Sequence, residues 1–181
     1  RITHGGAAGT TLRFLALRAS RLEGTHHLSG SLRLFERPQD EIARLMIQLG
    51  CEAEIRLQRL TIRGQGWRPA SSEVVIDRSV SSQFASAVLL NAWELPFDLK
   101  LRFEGRAVSE SYFAMTLSLV REAGMRVDVV NDSTLFISAG QKVTATMLRA
   151  EPDASSAFAL AAVAVARGSS VELHDWPATS L

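Results

Sequence analysis

The 181-residue sequence is short of the residues that define several common classes of protein. It has a single cysteine, Cys51, so no disulfide can form within the chain and a reducing compartment is expected. Its formal net charge is only +1, which leaves no basic field for nucleic acid and no polybasic patch for a membrane. The longest apolar run, 157–166, is too short to cross a bilayer. These scarcities favour a cytoplasmic protein that binds neither nucleic acid nor membrane.

Motifs for metals, cofactors and nucleophiles are also missing from the sequence. Its four histidines stand at no metal-ligand spacing, and two adjacent histidines in a strand point to opposite faces. The sequence contains no P-loop, dinucleotide fingerprint or nucleophile elbow. Cys51 follows an apolar helical pattern and is interpreted as an inert thiol of the core. We therefore expect no metal, no cofactor and no nucleophilic catalysis.

The most informative feature that is present is an apolar helix opened by serines. Ser81 and Ser82 precede the run from Phe84 to Trp93, in which only Ser86 and Asn91 are polar. Serine oxygens cap a helix because they accept from backbone N–H groups that have no partner in the first turn. Those N–H groups and the positive end of the helix dipole also favour an anion. The same pattern fits an ordinary capped core helix that binds nothing.

Hydrophobic periodicity predicts an α/β chain in which nearly apolar helices alternate with amphipathic ones. Pro38 is expected to open the first amphipathic helix, since proline is tolerated in a first turn. The helices are predicted over 10–22, 37–50, 81–93, 110–123 and 153–168, and the strands over 25–35, 53–58, 60–62, 74–76, 99–103, 127–130, 135–138 and 171–174.

The order of these elements repeats along the chain. The spacing is 72 residues from Gly9 to Ser81, from Ser81 to Asp153 and from Arg37 to Ser109. The sequence therefore predicts βαβαββ units of about 72 residues, with buried and amphipathic helices against mixed sheets. Because this period exceeds that of common solenoids, a closed arrangement of a few units is expected. The chain begins inside one unit and ends inside another, which suggests a fragment of a longer protein.

Repetition strengthens the case for an anion site. If the units share an axis, the buried helices start on the same side, at Gly9, Ser81 and Asp153, and their dipoles converge on one surface. Arg37 could add a bidentate guanidinium for a carboxylate or phosphate, although a solvated surface arginine is the commoner case.

Five segments of the sequence carry a family resemblance. They are AAGTTLRF at 7–14, ERP at 36–38, SVSSQFASAVLL at 79–90, SESYFAMT at 109–116 and EPDASSAFALAA at 151–162. In this order and with these gaps they resemble the enolpyruvyl transferases, in particular the branch that acts on shikimate 3-phosphate.

The resemblance implies a two-domain fold, an inside-out α/β barrel in which each domain contains three βαβαββ units. It implies transfer of the enolpyruvyl group of phosphoenolpyruvate to the 5-hydroxyl of shikimate 3-phosphate, through a tetrahedral adduct that loses phosphate, in aromatic amino acid biosynthesis. Residues 1–150 would be most of the N-terminal, shikimate-phosphate-binding domain without its first unit, and 151–181 the start of the second domain. The isolated chain would then be inactive, with the missing halves of its own polypeptide as partners.

The resemblance also divides the candidate site residues between two small-molecule substrates. Asp153 would lie near the crossing between the domains. Shikimate 3-phosphate would be bound by Ser81, Ser82, Gln83, Ser109 and Tyr112, and phosphoenolpyruvate by Gly9, Arg37 and Gln83.

The sequence departs from the family pattern in several places, and two alternatives stay open. Ala7 stands where the family usually has asparagine, and the family's N-terminal lysine-serine segment and second-domain carboxylates are absent. The UDP-N-acetylglucosamine enolpyruvyl transferases carry a reactive cysteine just before the arginine-proline turn, whereas Cys51 lies beyond that turn here. A non-catalytic domain that binds a phosphate ligand is the other alternative.

Overall fold

The structure is a computed structural model that describes residues 2–37, 39–174 and 176. The chain divides into a larger body, Arg1–Ala145, and a smaller body, Thr146–Leu181. The larger body contains two successive repeats, called here the first repeat (2–64) and the second repeat (73–137). The first repeat consists of β1 (Ile2–His4), α1 (Gly9–Ser20), β2 (Gly24–Ser29), α2 (Leu32–Phe35), α3 (Asp40–Gln48), β3 (Glu52–Arg56) and β4 (Arg59–Gly64). The second consists of β5 (Glu73–Asp77), α4 (Ser82–Leu90), β6 (Leu99–Glu104), α5 (Glu110–Glu122), β7 (Val127–Asn131) and β8 (Thr134–Ile137).

The two repeats have the same sheet topology. Each forms a mixed four-stranded sheet, in the order β1-β2-β4-β3 in the first repeat and β5-β6-β8-β7 in the second. In both sheets the first two strands are parallel, and the remaining neighbours are antiparallel. The predicted mixed α/β fold is therefore confirmed, and the βαβαββ unit occurs twice.

One hydrophobic core joins the two repeats. On β6 the alternating residues Leu99, Leu101 and Phe103 are buried, as expected for a strand with one face on a core. Helix α4 has seven of its nine residues buried. It packs against α1 of the first repeat and α5 of the second. Because α4 is enclosed along its length, the position of its first turn is fixed by packing.

The strand predicted over 25–35 is wrong in its second half. The strand ends at Ser29, and Leu32–Phe35 forms the short helix α2. A Cβ on Gly30 would lie 2.5 Å from Leu34 Cδ2, so glycine lets the chain fold tightly back over this buried leucine. A segment of four residues is too short for its pattern to distinguish a strand from a helix, which is why the prediction failed here.

Several helix boundaries also differ from prediction. Helix α1 ends at Ser20 and α4 ends at Leu90, both earlier than expected. Leu22, the last residue of the helix predicted over 10–22, is 42% exposed and lies beyond the end of α1. Pro38, the predicted helix opener, lies outside the described residues, and α3 begins at Asp40.

The smaller body contains one helix, α6 (Ala154–Ala166), in its described residues. It was predicted to be buried, but only Ala157 and Ala164 are, and Phe158 is 77% exposed. The strand predicted over 171–174 is wrong, because these described residues form none. A lone helix has no second layer within this body to cover its apolar surface.

Within the described ranges, no helix is both long enough and apolar enough to span a membrane.

Candidate functional site

The start of α1 is the first part of the candidate site. The helix begins at Gly9 without a capping side chain. A Cβ on Gly9 would lie 3.1 Å from Arg37 Nη1 and 3.8 Å from Gln83 Oε1. The missing side chain therefore makes room for Arg37 from the same repeat and Gln83 from the next. Three residues assigned to phosphoenolpyruvate by the resemblance come together here.

Arg13 links this helix start to the one in the second repeat. Its Nη1 donates to Gln83 Oε1 at 2.6 Å and to Ser81 Oγ at 3.4 Å. Its Cζ lies 4.5 Å from the centroid of the Phe84 ring, within range of a cation-π contact. The side chain is only 7% exposed. Arg13 thus joins the first turn of α4 to α1.

Arg13 was not among the residues that the sequence predicted for the site. A signal was available, since Arg13 stands four residues after Gly9 and therefore on the same face of α1. It is also the one basic residue of the segment AAGTTLRF, which carried the resemblance. Arg13 was missed because only the first residue of this helix was considered as part of the site.

The contact with Arg13 fixes the orientation of the Gln83 amide. Because the guanidinium donates to Oε1, the NH2 group of the amide is directed to the other side. The N–H groups of this amide are hydrogen-bond donors that Arg13 does not use. Donors are the groups that recognise the oxygens of a carboxylate or phosphate.

Two guanidinium groups make this place electropositive. Burial lowers the pKa of Arg13, and the nearby positive charge of Arg37 lowers it further. Both groups still carry their charge at neutral pH, because an arginine is effectively always protonated. A bound anion would offset the repulsion between the two cations, and the positive helix ends favour the same sign of ligand.

The start of α4 is the second part of the candidate site. Ser81 occupies the N-cap, and its Oγ accepts from Gln83 N at 3.2 Å. Ser82 is 4% exposed in the first turn. The preceding loop is held by Asp77, whose Oδ1 accepts from Ser79 N at 2.8 Å. Hydrogen bonds from the hydroxyl and amide of Ser79 hold the pKa of Asp77 below its usual value.

The start of α5 is the third part. Ser109 adopts a left-handed conformation, φ 54° and ψ 46°, which is uncommon for a residue other than glycine. Its side chain makes no capping hydrogen bond with the helix. Tyr112 lies one turn further and is 63% exposed. Both hydroxyl residues are therefore placed at the beginning of a helix rather than within a core.

Sheet topology puts the starts of α4 and α5 at the same edge. Helix α4 follows β5, α5 follows β6, and these two strands are parallel. The helices pack together, and Thr116 Oγ1 donates to Ser86 Oγ at 2.8 Å. The loops before them are joined where Val108 N donates to Arg78 O at 3.3 Å. The end of the second sheet at which β5 and β6 finish thus carries Ser81, Ser82, Ser109 and Tyr112.

The remaining candidate residues lie elsewhere. Asp153 belongs to the smaller body, where it caps α6 by accepting from the backbone N–H groups of Ser155 and Ser156. These bonds and the Ser156 hydroxyl lower the pKa of Asp153. Cys51 is buried as predicted, and burial raises the pKa of its thiol. In the described ranges, no group of three or more His, Cys, Asp or Glu side chains is arranged for a metal.

The two repeated βαβαββ units, with arginines and helix starts meeting between them, define a duplicated mixed α/β protein. The family model for EPSP synthase (3-phosphoshikimate 1-carboxyvinyltransferase) matches residues 2–181. The chain therefore belongs to the EPSP synthase family.

Known proteins show the same relationship. The chain is 34% identical over 175 residues to 3-phosphoshikimate 1-carboxyvinyltransferase of Vibrio campbellii, a match that covers 93% of this chain and 40% of the relative. It is 31% identical over 173 residues to the protein of the same name in Trichormus variabilis, with the same coverage of 93% and 40%. The chain thus spans about 40% of the length of these curated relatives.

A solved structure shows the likeness in fold. The structure of EPSP synthase from Acinetobacter baumannii superimposes with a TM-score of 0.66 and 20% identity, covering 85% of this chain and 34% of that one.

Proposed function

We propose that the protein catalyses transfer of the enolpyruvyl group from phosphoenolpyruvate to the 5-hydroxyl of shikimate 3-phosphate. Family membership supports this activity, as do the names of relatives at 31% and 34% identity. The observation that carries the proposal is the convergence of Gly9, Arg37, Arg13 and Gln83 at one helix start. This arrangement suits a small anionic substrate.

In this proposal the second repeat binds shikimate 3-phosphate. The hydroxyls of Ser81, Ser82 and Ser109 donate to the phosphate, and the N-terminal end of α4 adds its free N–H groups. A hydrogen bond to a charged group contributes about 1.5 to 3 kcal/mol. Gln83 and Tyr112 lie beside this subsite and contact the rest of the ligand.

Phosphoenolpyruvate is bound in the proposal where the two repeats meet. Arg37 provides a planar guanidinium for a bidentate contact, and Gly9 leaves room for the ligand at the start of α1. The NH2 group of Gln83 reaches both substrates. Arg13 holds Gln83 in place and adds positive charge behind it. Asp153 is assigned to the crossing between the two domains.

In this proposal the two anions are bound side by side, which assists the reaction. The 5-hydroxyl oxygen adds to C2 of phosphoenolpyruvate and loses its proton as C3 gains one, and the tetrahedral adduct then loses phosphate and a proton of the methyl group formed at C3. Two anionic substrates repel each other, so the guanidinium groups of Arg13 and Arg37 and the helix ends have to offset the repulsion. Orientation by fixed groups lowers the entropic part of the barrier. No cofactor takes part.

The alternatives receive less support. The named relatives act, by their names, on 3-phosphoshikimate, which favours this substrate over UDP-N-acetylglucosamine. A non-catalytic phosphate-binding domain would use the same anion site. We place the protein in the cytoplasm, with these two small molecules, and neither nucleic acid nor membrane, as its ligands.

Binding of three ligands to the chain tests the proposal. Isothermal titration with shikimate 3-phosphate, shikimate and UDP-N-acetylglucosamine should show the first binding at least about tenfold more tightly than the others, since the phosphate contacts are charge-assisted. Equal binding of shikimate, or tighter binding of the nucleotide sugar, contradicts the proposal. Phosphate release from both substrates, in a polypeptide that carries this chain and the remaining length of its relatives, separates an enzyme from a non-catalytic domain.

A further inference from the structure

The outer edge of β5 is closed by side chains instead of a strand. In the second sheet β5 is the edge strand, so its outward backbone groups have no strand partner in that sheet. Gln48 of α3 takes two of them: its Nε2 donates to Val75 O at 2.8 Å, and its Oε1 accepts from Val75 N at 2.7 Å. Glu41 Oε1 accepts from Asp77 N at 3.4 Å. A helix of the first repeat thus replaces a neighbouring strand.

Both side chains come from one face of α3. Glu41 and Gln48 are seven residues apart, which is about two helical turns. Their targets, Val75 and Asp77, are two residues apart and therefore direct their N–H groups to the same edge of the strand. Glu41 is 6% exposed, and Gln48 is half-buried. We call this pair, bound to β5, the α3 clamp.

The α3 clamp lies between the two halves of the candidate site. Helix α3 begins three residues after Arg37, on the phosphoenolpyruvate side. Strand β5 ends at Asp77, four residues before Ser81 on the shikimate phosphate side. Any rotation of α3 against β5 would therefore move Arg37 relative to the start of α4.

The proposed subsites depend on this alignment to different degrees. Shikimate 3-phosphate is bound by Ser81, Ser82 and Ser109, all in the second repeat. Phosphoenolpyruvate is bound by Arg37 from the first repeat together with Gln83 from the second. Only the phosphoenolpyruvate subsite therefore requires the two repeats to be held in a fixed relative position.

We propose that Glu41 and Gln48 are positioning residues that align Arg37 with the start of α4, so that phosphoenolpyruvate binds at the junction of the repeats. The inference rests on the proposed function and deepens it. The hydrogen bonds from Arg13 join α1 to α4 and do not act on α3, and apolar packing between the repeats is non-directional. The paired amide bonds of Gln48 are directional, so they select one orientation of α3 within that packing.

The test compares Gln48→Leu with a matched control, Gln65→Leu. Gln48→Leu keeps a similar volume and removes both bonds to Val75. Gln65, just after the first repeat, is an exposed glutamine whose Nε2 donates to Gly50 O at 3.4 Å and makes no bond to β5, so its loss leaves the α3 clamp intact. Affinities for shikimate 3-phosphate, and for phosphoenolpyruvate in its presence, are measured by NMR titration. Glu41→Gln serves as the conservative variant, because an amide oxygen still accepts from Asp77 N.

Gln48→Leu should raise the dissociation constant of phosphoenolpyruvate roughly tenfold, because a misplacement of about 1 Å can cost up to a hundredfold and packing limits the shift. The constant for shikimate 3-phosphate should change less than about twofold, a difference near the precision of such constants. Gln65→Leu and Glu41→Gln should bind both ligands like the wild type. Equal losses for both ligands, or no loss for phosphoenolpyruvate, overturn the inference.

Hydrogen exchange separates failure of the α3 clamp from failure of the proposed function. The Val75 amide should be protected in the wild type and exchange faster in Gln48→Leu, whatever ligand the protein uses. Unchanged exchange shows that no such clamp exists and overturns the inference. If the Val75 amide is protected but the wild type binds neither substrate, the proposed function is contradicted. The role given to Glu41 and Gln48 is then contradicted as well.

Discussion

The two repeats have the same sheet topology and differ most where their helices begin. Strand order and pairing are identical, and both contribute to one core. Helix α1 begins at Gly9 with no capping side chain, whereas α4 begins after Ser81, whose hydroxyl caps it. The two repeats therefore share one core and one topology but differ in the residues at their helix starts, as expected when close packing constrains the interior more than the surface.

Positions 72 residues apart show how the chemistry of the two repeats differs. Arg13 corresponds to Ala85, and Arg37 corresponds to Ser109. The first repeat thus supplies guanidinium groups, and the second supplies hydroxyls and free N–H groups. In the proposed function, one duplicated topology thus offers two kinds of anion recognition.

The largest effect is expected from Arg13→Met, which removes the guanidinium and leaves an apolar side chain, as Ala85 has at the corresponding position of the second repeat. The variant loses a charge-assisted bond to Gln83, worth about 1.5 to 3 kcal/mol or roughly 10- to 150-fold in affinity. Both substrates should bind more weakly, as measured by isothermal titration. Arg18→Met is the control, since it removes an exposed arginine from the same helix. Similar losses in the two variants would show that total charge, and not the position of Arg13, matters.

A smaller and more selective effect is expected from Gly9→Ala. The new methyl group would meet Arg37 Nη1 at 3.1 Å, so the guanidinium has to shift by a few tenths of an ångström. Phosphoenolpyruvate should bind several-fold more weakly, about 3- to 10-fold, because bidentate contacts depend on geometry. Shikimate 3-phosphate should be unaffected. The comparison variant is Thr11→Ala, an exposed residue in the same turn, and a matching loss there would refute the steric explanation.

The smallest effect concerns the buried carboxylate that joins the repeats. Burial raises the pKa of Glu41, and the bond from Asp77 N and the charge of Arg44 offset this only in part. The folded protein then binds a proton more tightly than the unfolded chain, so the free energy of unfolding falls as pH rises from the ordinary glutamate pKa towards the raised one. In Glu41→Gln this decline should be smaller. Urea denaturation of both proteins between pH 4 and pH 7 measures this decline, which starts near the ordinary glutamate pKa of about 4.3. Parallel curves for the two proteins would contradict the assignment of the decline to Glu41.

Much of the fold was predictable from the sequence because its core is strongly patterned. The 72-residue spacing and the alternation on β6 predicted the repeat and its strands. The short helix at Leu32–Phe35 was missed because its length fits either periodicity. The exposure of α6 was missed because an apolar composition predicts burial without saying which element supplies the cover.

The candidate site was predictable only in part. The resemblance named Gly9, Arg37 and Gln83, which the fold brings together. Arg13 was not assigned to the site, although it lies one turn after Gly9 on the same face of α1, because its contact with Gln83 crosses between the repeats. The bonds from Gln48 to Val75 were hidden for the same reason, since a helical glutamine usually faces solvent.

An NMR titration of the chain with shikimate 3-phosphate, in wild type and Ser82→Ala, tests most directly whether the helix starts of the second repeat bind phosphate. We expect amide shifts at residues 79–84 and 109–112, with a dissociation constant of about 0.1 to 10 mM, since association entropy offsets much of the hydrogen-bond energy. Ser82→Ala should weaken binding roughly tenfold. If these residues do not shift at about 20 mM ligand, twice the weakest constant expected, or if Ser82→Ala binds as well as wild type, the assignment is contradicted.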